Sequence, residues 1–368
     1  MTRKLIPVPV RGGTVNAVFD PLDRPTSVPT VPFLAADVGG TYARVALMRS
    51  SLDEGREVEV LAYRKFVCAD FGGLAELLQA FVDVEARTTV RHCVLACAGQ
   101  VVGDEVLNDN SAWPVHVSQL RHAMALDDIA VLNDFEALGY ALDNHAQSGA
   151  RLLCGPDQQV EGSTLLIGPG TGLGAAARLV GPDGGYVLTT EAGQMDFAPN
   201  SIREREVLAH LAPHGGYVAY ERIVSGPGLL TLYLTLCQLR GQTPRLSTPE
   251  AVTEAAATSH DAAAAEAVDI FCASLGSFAG SLAMTFMTLG GVYLAGGFLS
   301  SLFALLERSA FEERFLHGRS ARALLSRVPV WVTEHGRKGV VGAAKWYLRR
   351  GLHGDAKPSP VSTAGLTQ

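Results

Sequence analysis

The chain has no lysine- or arginine-rich block. With 30 basic against 37 acidic residues its formal charge is −7, so it lacks the electrostatic track that nucleic acid requires, and no nucleic-acid partner is expected. No stretch reads as the ~18 uncharged apolar residues of a membrane helix. Arg3-Lys4 near the start is not followed by an apolar core of signal-peptide length. No membrane association and a cytoplasmic location are therefore expected. The six cysteines (Cys68, Cys93, Cys97, Cys154, Cys237, Cys272) are scattered, most of them in apolar runs, which reads as buried free thiols rather than a disulfide or metal framework. Cys93 and Cys97 on one strand would stand ~13 Å apart along it, with no second pair nearby, so a zinc site is rejected.

What is present is length. A chain of 368 residues can bury a large core, and at about 150 residues per domain it suggests two domains or one divided by a cleft. Residues 1–30 carry Pro7, Pro9, Pro21, Pro25 and Pro29 and read as an extended leader. Residues 351–368, with Lys357-Pro358-Ser359-Pro360, read as a disordered tail. Between them, Phe33 to Asp37, Arg44 to Met48 and Val58 to Phe66 read as an antiparallel meander. Leu74, Leu77, Leu78, Phe81 and Val82 recur at helical spacing, then His92 to Ala96 and Ile129 to Leu132 return to strand. A second pass begins at Ser163 to Ile167 and continues through Ala175 to Leu179 and Tyr186 to Thr189. Alanine-rich residues from about His260 to Leu289 read as one or two buried helices, Val292 to Ala295 as a strand, and about Gly339 to Arg349 as a last helix.

The chemistry-bearing residues cluster at strand ends. Asn133 and Asp134 follow the apolar run Ile129-Ala130-Val131-Leu132, where α/β enzymes place reacting groups, and Asp134 is the candidate catalytic base. Two glycine-rich hairpin signals flank it, Asp37-Val38-Gly39-Gly40-Thr41 and Gly168-Pro169-Gly170-Thr171-Gly172-Leu173-Gly174. Glycine lets backbone N–H groups approach an oxyanion without a Cβ and readily takes positive φ. Neither hairpin has the Walker lysine, and the first does not open a long helix as a dinucleotide fingerprint would. One base between two phosphate loops points to phosphoryl transfer.

The ordered strings Ala36-Asp37-Val38-Gly39-Gly40-Thr41 with Ala43-Arg44, Leu132-Asn133-Asp134-Phe135, Gly170-Thr171-Gly172-Leu173-Gly174, Asp196-Phe197-Ala198-Pro199-Asn200, Glu221-Arg222 with Ser225-Gly226-Pro227-Gly228-Leu229, and Ala295-Gly296-Gly297 resemble bacterial glucokinases of the hexokinase-like, actin-fold superfamily. The resemblance spans about residues 33 to 350. It implies an α/β, two-lobed actin-like (ribonuclease-H-like) ATPase fold with an interlobe cleft: a small lobe of residues 31–140, to which helix 338–350 returns, and a large lobe of 141–337. It implies glucose and ATP as substrates, Mg²⁺ as cofactor, and a homodimer. Asp37, Gly39, Gly40 and Thr41 would form the first phosphate clamp, with Asp37 near the metal through water. Gly170, Thr171 and Gly172 would form the second, and Gly226, Gly296 and Gly297 would lie near the adenosine. Asn110, Asn133, Asp134, Glu191, Gln194 and Glu221 would hold the sugar, with Asp134 accepting the proton of the 6-hydroxyl.

The chain departs from the family pattern at Tyr42, where asparagine is usual, and at Glu191-Ala192-Gly193-Gln194, where a second glycine and a histidine are usual. Tyr42 removes an amide donor, Gln194 replaces an imidazole, and Ala192 would resist positive φ. These changes leave two alternatives beside glucokinase: a catalytically weak sugar-binding regulator that kept the fold, and a kinase for a related hexose. On local sequence alone, Glu221 reads equally as a solvated helix start, and Asn200 as the cap of a helix beginning near Ser201. His210 and His214 read as surface or packing residues.

Overall fold

The computed structural model describes residues 31–50, 58–86, 89–107, 112–142, 149–158, 160–181, 185–258, 260–318, 320–334 and 336–352. The leader, the tail beyond 352 and Asn110 lie outside them.

Apolar runs punctuated by glycine turns build the first sheet. β1 (Phe33–Val38) turns back antiparallel into β2 (Tyr42–Ser50), which pairs with β3 (Val58–Val67). Helix α1 (Leu74–Glu85) then carries the chain to β4 (His92–Cys97), parallel to β1. A small three-stranded ribbon, β5 (Gln100–Val102), β6 (Glu105–Leu107) and β7 (Val115–His116), and helix α2 (Val117–Ala123) lead to β8 (Asp128–Asn133), parallel to β4. The order is β3-β2-β1-β4-β8. β1 is buried along its whole length, which is why it reads as a continuous apolar run and not as an alternating one. Leu34, Ala36 and Val38 face the α1 side; Phe33 and Ala35 face the opposite side.

The second sheet repeats this order. After α3 (Asp134–Ala141) come β9 (Arg151–Cys154), the hairpin of β10 (Thr164–Pro169) and β11 (Leu173–Leu179), and β12 (Tyr186–Thr190). A helical layer follows: α4 (Ile202–Leu211), α5 (Gly226–Leu239), α6 (Pro249–Ala257) and α7 (Ala262–Phe286). β13 (Gly291–Ala295) pairs parallel with β10. Helices α8 (Gly297–Glu307), α9 (Phe311–Phe315) and α10 (Arg322–Leu325) precede β14 (Val330–Thr333). The order is β12-β11-β10-β13-β14, with β9 added antiparallel at the edge. The chain ends its described part in α11 (Lys338–Leu352). Two sheets of one topology give the two-lobed, actin-like, ribonuclease-H-like ATPase fold with a cleft between its lobes.

The lobes meet on helices that follow the fifth strand of each sheet. Ala137 of α3 packs with α11 residues Val340, Ala343, Ala344, Tyr347 and Leu348 on the first sheet, whereas Leu138 and Leu142 pack on Leu166, Tyr293 and Trp331 of the second. The backbones of α3 and α11 touch: a Cβ on Gly342 would stand 1.7 Å from the Ala137 carbonyl oxygen. Any larger residue there would force these two helices apart.

The alanine-rich run from about His260 to Leu289 is the long helix α7. By length and composition its 25 residues could cross a membrane, although 83% of the most apolar window is buried inside the protein. Its apolar faces are covered by α5, α6 and α9 in the largest core cluster, which includes Phe271, Leu275 and Phe278. Burying each such side chain is worth about 1.5–3 kcal/mol.

Candidate functional site

Parallel pairing sets the first half of the site. Val38 is level with Cys97, and Cys97 with Asn133, so the ends of β1 and β8 stand two strand spacings, about 10 Å, apart on either side of β4. Asp37 is buried and pairs with Arg44, its neighbour on β2, at 3.3 Å. Burial first, and then the charges of Asp134 and Asp37, push the Cys97 thiol far up. That thiol thus feels both carboxylates and stays protonated. All six cysteines are free.

Asn133 ends β8 and caps α3. Its Oδ1 accepts the N–H of Phe135 at 2.9 Å and of Glu136 at 3.3 Å, as an N-cap residue does. The carbonyl oxygen is thereby engaged, and the amide nitrogen is the donor Asn133 can offer a ligand. The Glu136 carboxylate receives the Asn133 backbone N–H and bonds Trp346 of α11, but burial outweighs these bonds and pushes its pKa up to about 7. Asp134 rides on the first turn of α3, its Oδ1 3.0 Å from the Phe135 N–H.

Phe135 ties this end to the second hairpin. A Cβ on Gly174 would stand 2.0 Å from its ring, and one on Gly168 2.6 Å, so both positions must be glycine for the ring to lie across β10 and β11. The second hairpin closes with Gly170 N–H on the Gly172 carbonyl at 2.8 Å, and Gly226 N–H on the Gly170 carbonyl at 2.8 Å docks the start of α5 onto it. Gly296 comes from β13 to the same place, where an added Cβ would be 3.2 Å from the Pro169 carbonyl. Gly297 opens α8.

Glu221 lies in a single 3-10 turn, Tyr220–Arg222. Its Oε2 accepts the Leu173 N–H at 2.8 Å, and a Cβ on Gly172 would collide with it at 2.5 Å. The reading of Glu221 as a solvated helix start is therefore replaced: the carboxylate is seated on the second glycine hairpin. Its Oε1 receives Gln194 Nε2 at 3.3 Å. Gln194 and Glu191 are exposed on a second short turn, Ala192–Gln194. A cavity of about 460 Å³ opens beside Thr171, Glu221, Ser225 and Gly228, with Tyr217 and Arg222 also in its wall.

Several local expectations change. Gly39, Gly170 and Gly172 do not take positive φ; the missing Cβ is required at Gly172, where it would strike Glu221, whereas a Cβ at Gly39 or Gly170 would meet no clash. The first hairpin closes with Gly39 N–H on the Tyr42 carbonyl at 3.0 Å, and Gly40 and Thr41 are exposed. Ala192 does not take positive φ either, being part of the short turn, and carries no backbone strain. Tyr42 is exposed, and its ring makes a cation–π contact with the Lys65 ammonium, 3.6 Å from the ring centroid. Ser201, not Asn200, caps α4, in a reciprocal capping box with Glu204. The turn expected at Ser225 to Gly228 is the start of α5, capped by Ser225. His210 is exposed and bonds Gln238; His214 is exposed.

A family model described as Glucokinase matches residues 34–350. The chain belongs to the glucokinase family. It is 39% identical over 324 residues to a glucokinase-like protein of Xylella fastidiosa (strain 9a5c), covering 88% of this chain and 96% of that one. It is 34% identical over 312 residues to a glucokinase of Marinobacter nauticus, covering 85% and 96%. Among solved structures, a glucokinase from an Antarctic psychrotroph superposes with a TM-score of 0.75 at 28% identity, covering 86% of this chain and 99% of that one. Membership in the hexokinase-like, actin-fold superfamily follows.

The sequence motifs thus fall into two groups: Asp37, Asn133 and Asp134 with the first hairpin, and Gly170 to Gly172, Gln194, Glu221, Gly226 and Gly296 around the second. Phe135 and Tyr217 were missed as separate contributors. Phe135 had a signal, since it follows the base directly; Tyr217 had none.

Proposed function

We propose that this protein is a cytoplasmic ATP-dependent glucokinase, transferring the γ-phosphate of ATP to the 6-hydroxyl of glucose to give glucose 6-phosphate and ADP. The observation that carries the reading is Phe135: the residue beside the candidate base is clamped over the second glycine hairpin, so a hydroxyl at Asp134 would be held in fixed relation to a phosphate at Gly170 to Gly172.

Asn133, Asp134, Glu191, Gln194 and Glu221 would hold the sugar, and Asn110 is retained as a candidate. Carboxylates accept from its hydroxyls, while the two amides supply N–H donors. Asp134 accepts the 6-hydroxyl proton as that oxygen attacks the γ-phosphorus, a general-base step worth ~10²–10⁴-fold. Hairpin N–H groups of Gly40, Thr41, Thr171 and Gly172 would spread the charge of the transferring group, with Gly39 and Gly170, whose own N–H groups close the hairpins, completing the two clamps, and Gly226, Gly296 and Gly297 would lie near the adenosine. The small lobe, 31–140 with helix 338–350, would close on the large lobe, 141–337, excluding water.

Among the described residues no group of three or more His, Cys, Asp and Glu side chains could cage a metal. The buried carboxylate of Asp37, already paired with Arg44, fits Mg²⁺ held through water, because Mg²⁺ keeps part of its hydration shell and takes its remaining ligands from substrate phosphates. When bound it would neutralise charge on the phosphates.

A coupled assay of ADP release over a panel of sugars and phosphoryl donors, with Asp134→Asn as control, tests the reading. Glucose-dependent release from ATP that disappears in the variant is expected. Absence of glucose-dependent release, or full turnover in Asp134→Asn, would refute it.

A further inference from the structure

Gln194 raises a question of polarity. An amide offers a donor at one end and an acceptor at the other, and its terminal torsion has two nearly equivalent orientations half a turn apart. Which end faces a ligand is decided by its neighbours, and here the Glu221 carboxylate decides it. The Tyr217 hydroxyl has one proton, given to the Gln194 backbone carbonyl, and its oxygen lies 3.2 Å from Gln194 Oε1. On the other side Nε2 stands 3.3 Å from Glu221 Oε1, and Glu221 Oε2 is bonded to the Leu173 N–H at 2.8 Å. A single relay therefore runs from Tyr217 through Gln194 and Glu221 to the backbone of the second hairpin. Tyr217 enters it from outside the motifs, 23 residues from Gln194.

We propose that Tyr217 is a positioning, specificity-determining residue that anchors the turn carrying Gln194, whose amide then gives its N–H₂ to Glu221, so that the sugar meets a donor and a carboxylate acceptor side by side. The inference rests on the reading of Gln194 and Glu221 as sugar ligands. Its chemical consequence follows from the inventory of lone pairs and protons. Nε2 has a second N–H beyond the one given to Glu221, and each oxygen of Glu221 can accept a further bond. A hydroxyl seated between them accepts from Gln194 and donates to Glu221 at once. A keto or fluoro group at that carbon accepts but cannot donate, and a deoxy carbon does neither. Because the Tyr217 proton goes to the Gln194 main chain, the hydroxyl restrains the turn from which the amide projects. Losing it frees that turn, and the amide with it, to take positions that present no N–H to the sugar, while Asp134 and the glycine hairpins are untouched.

Tyr217→Phe in the full-length chain tests this. Tyr217 is 60% exposed, so removing one oxygen leaves the fold and the thermal midpoint unaltered. Glucose affinity is read by calorimetry without nucleotide and by KM. Both are expected to weaken about 3–10-fold, the range of one hydrogen bond, with kcat and the KM for ATP held within about twofold. In a Gln194→Ala background, Tyr217→Phe is expected to add nothing, since the group it positions is gone. Unchanged glucose affinity in Tyr217→Phe overturns the proposal, as does equal weakening with and without Gln194. The two readings fail separately. A wild type that binds glucose but releases no ADP overturns the kinase reading alone, and the binding measurements on the single and double variants still decide the role of Tyr217; a wild type that binds no sugar overturns both.

Discussion

Gly174→Ala is the sharpest probe of how the base is held. The new Cβ would lie 2.0 Å from Phe135 Cε2 and 2.4 Å from both Cδ2 and Cζ. Carbon atoms in contact prefer about 3.5–4.0 Å, so the ring must retreat by roughly 1.5 Å or the hairpin must move by as much. The ring cannot slide toward Gly168, because that glycine already lies under Phe135 Cζ and its own added Cβ would be 2.6 Å away. Phe135 follows Asp134 on the first turn of α3, and its N–H is bonded to both Asn133 and Asp134; the displacement is passed to the base. Overpacking of this kind costs about 1–3 kcal/mol of stability. A base misplaced by about 1 Å costs on the order of 10²-fold in rate. The expected result is a folded protein whose kcat for glucose phosphorylation falls about 10–100-fold, measured by coupled ADP release beside a melting curve. Adding Phe135→Leu is expected to restore part of kcat by giving the methyl room. A folded Gly174→Ala enzyme with wild-type kcat would refute the claim that Phe135 transmits geometry from hairpin to base.

The remaining predictions use other parts of the molecule. Asp134→Asn should lower kcat by ~10²–10⁴-fold while calorimetric glucose binding persists; a loss of binding equal to the loss of kcat would count against its role as base. Arg314 and Glu204 form a buried ion pair at 2.6 Å, and Arg314→Met should cost about 3–5 kcal/mol by stranding the carboxylate, seen as a lower denaturation midpoint. Burial works to raise the Glu204 pKa, but bonds from Arg314, Asn200 and Ser201 outweigh it and hold the pKa low. The stability that Glu204 contributes is therefore present above the ordinary carboxylate range and lost as pH falls through its lowered pKa. Acid titration of unfolding should be shallower in Glu204→Gln. Glu136 has the opposite sign: raised by burial from 4.5 to about 7, it contributes stability below pH 4.5 that is lost as pH rises through 7. Glu136→Gln should flatten the fall in melting temperature across that window, and parallel curves for variant and wild type would exclude the assignment.

β1 and β4 were legible because burial on both faces leaves an uninterrupted apolar signature, and β8, fully buried only at Ala130 and Leu132, still shows the apolar run Ile129 to Leu132. Long α7 was readable for the same reason, as a buried alanine-rich run. Short pieces were not, since β9 and β14 are four residues each and carry too few positions to show a period. Ser225-Gly226-Pro227-Gly228 reads locally as a turn, yet Ser225 caps a helix with proline in its first turn, and burial of Leu229, Leu232 and Leu236 outweighs glycine's poor helix propensity. At the site, the motifs identified residue types and left out their partners. That Asn133 spends its carbonyl oxygen on α3, that Glu221 sits on Leu173 N–H, and that Tyr217 reaches Gln194 are tertiary facts with no period or spacing to announce them.

The repeated topology also bears on why one lobe would supply the base. Asp134 and Glu334 follow the fifth strand of equivalent sheets, each before one of the two helices that cross at the lobe interface. Their surroundings differ. Asn133 caps α3 directly off β8, so the carboxylate of Asp134 is fixed on a helical turn whose dipole favours negative charge. Glu334 is exposed and lies several residues before α11 begins, and the Lys338 ammonium bonds Thr333 Oγ1 and the Glu334 backbone carbonyl. A second carboxylate aimed into the same cleft would repel a triphosphate, at a cost that grows as closure removes water. On the proposed chemistry the two halves need opposite treatment, with a base where the hydroxyl is activated and N–H groups and cations where the phosphates lie. The fold gives both strand ends the same position, and the residues after each strand assign the different roles.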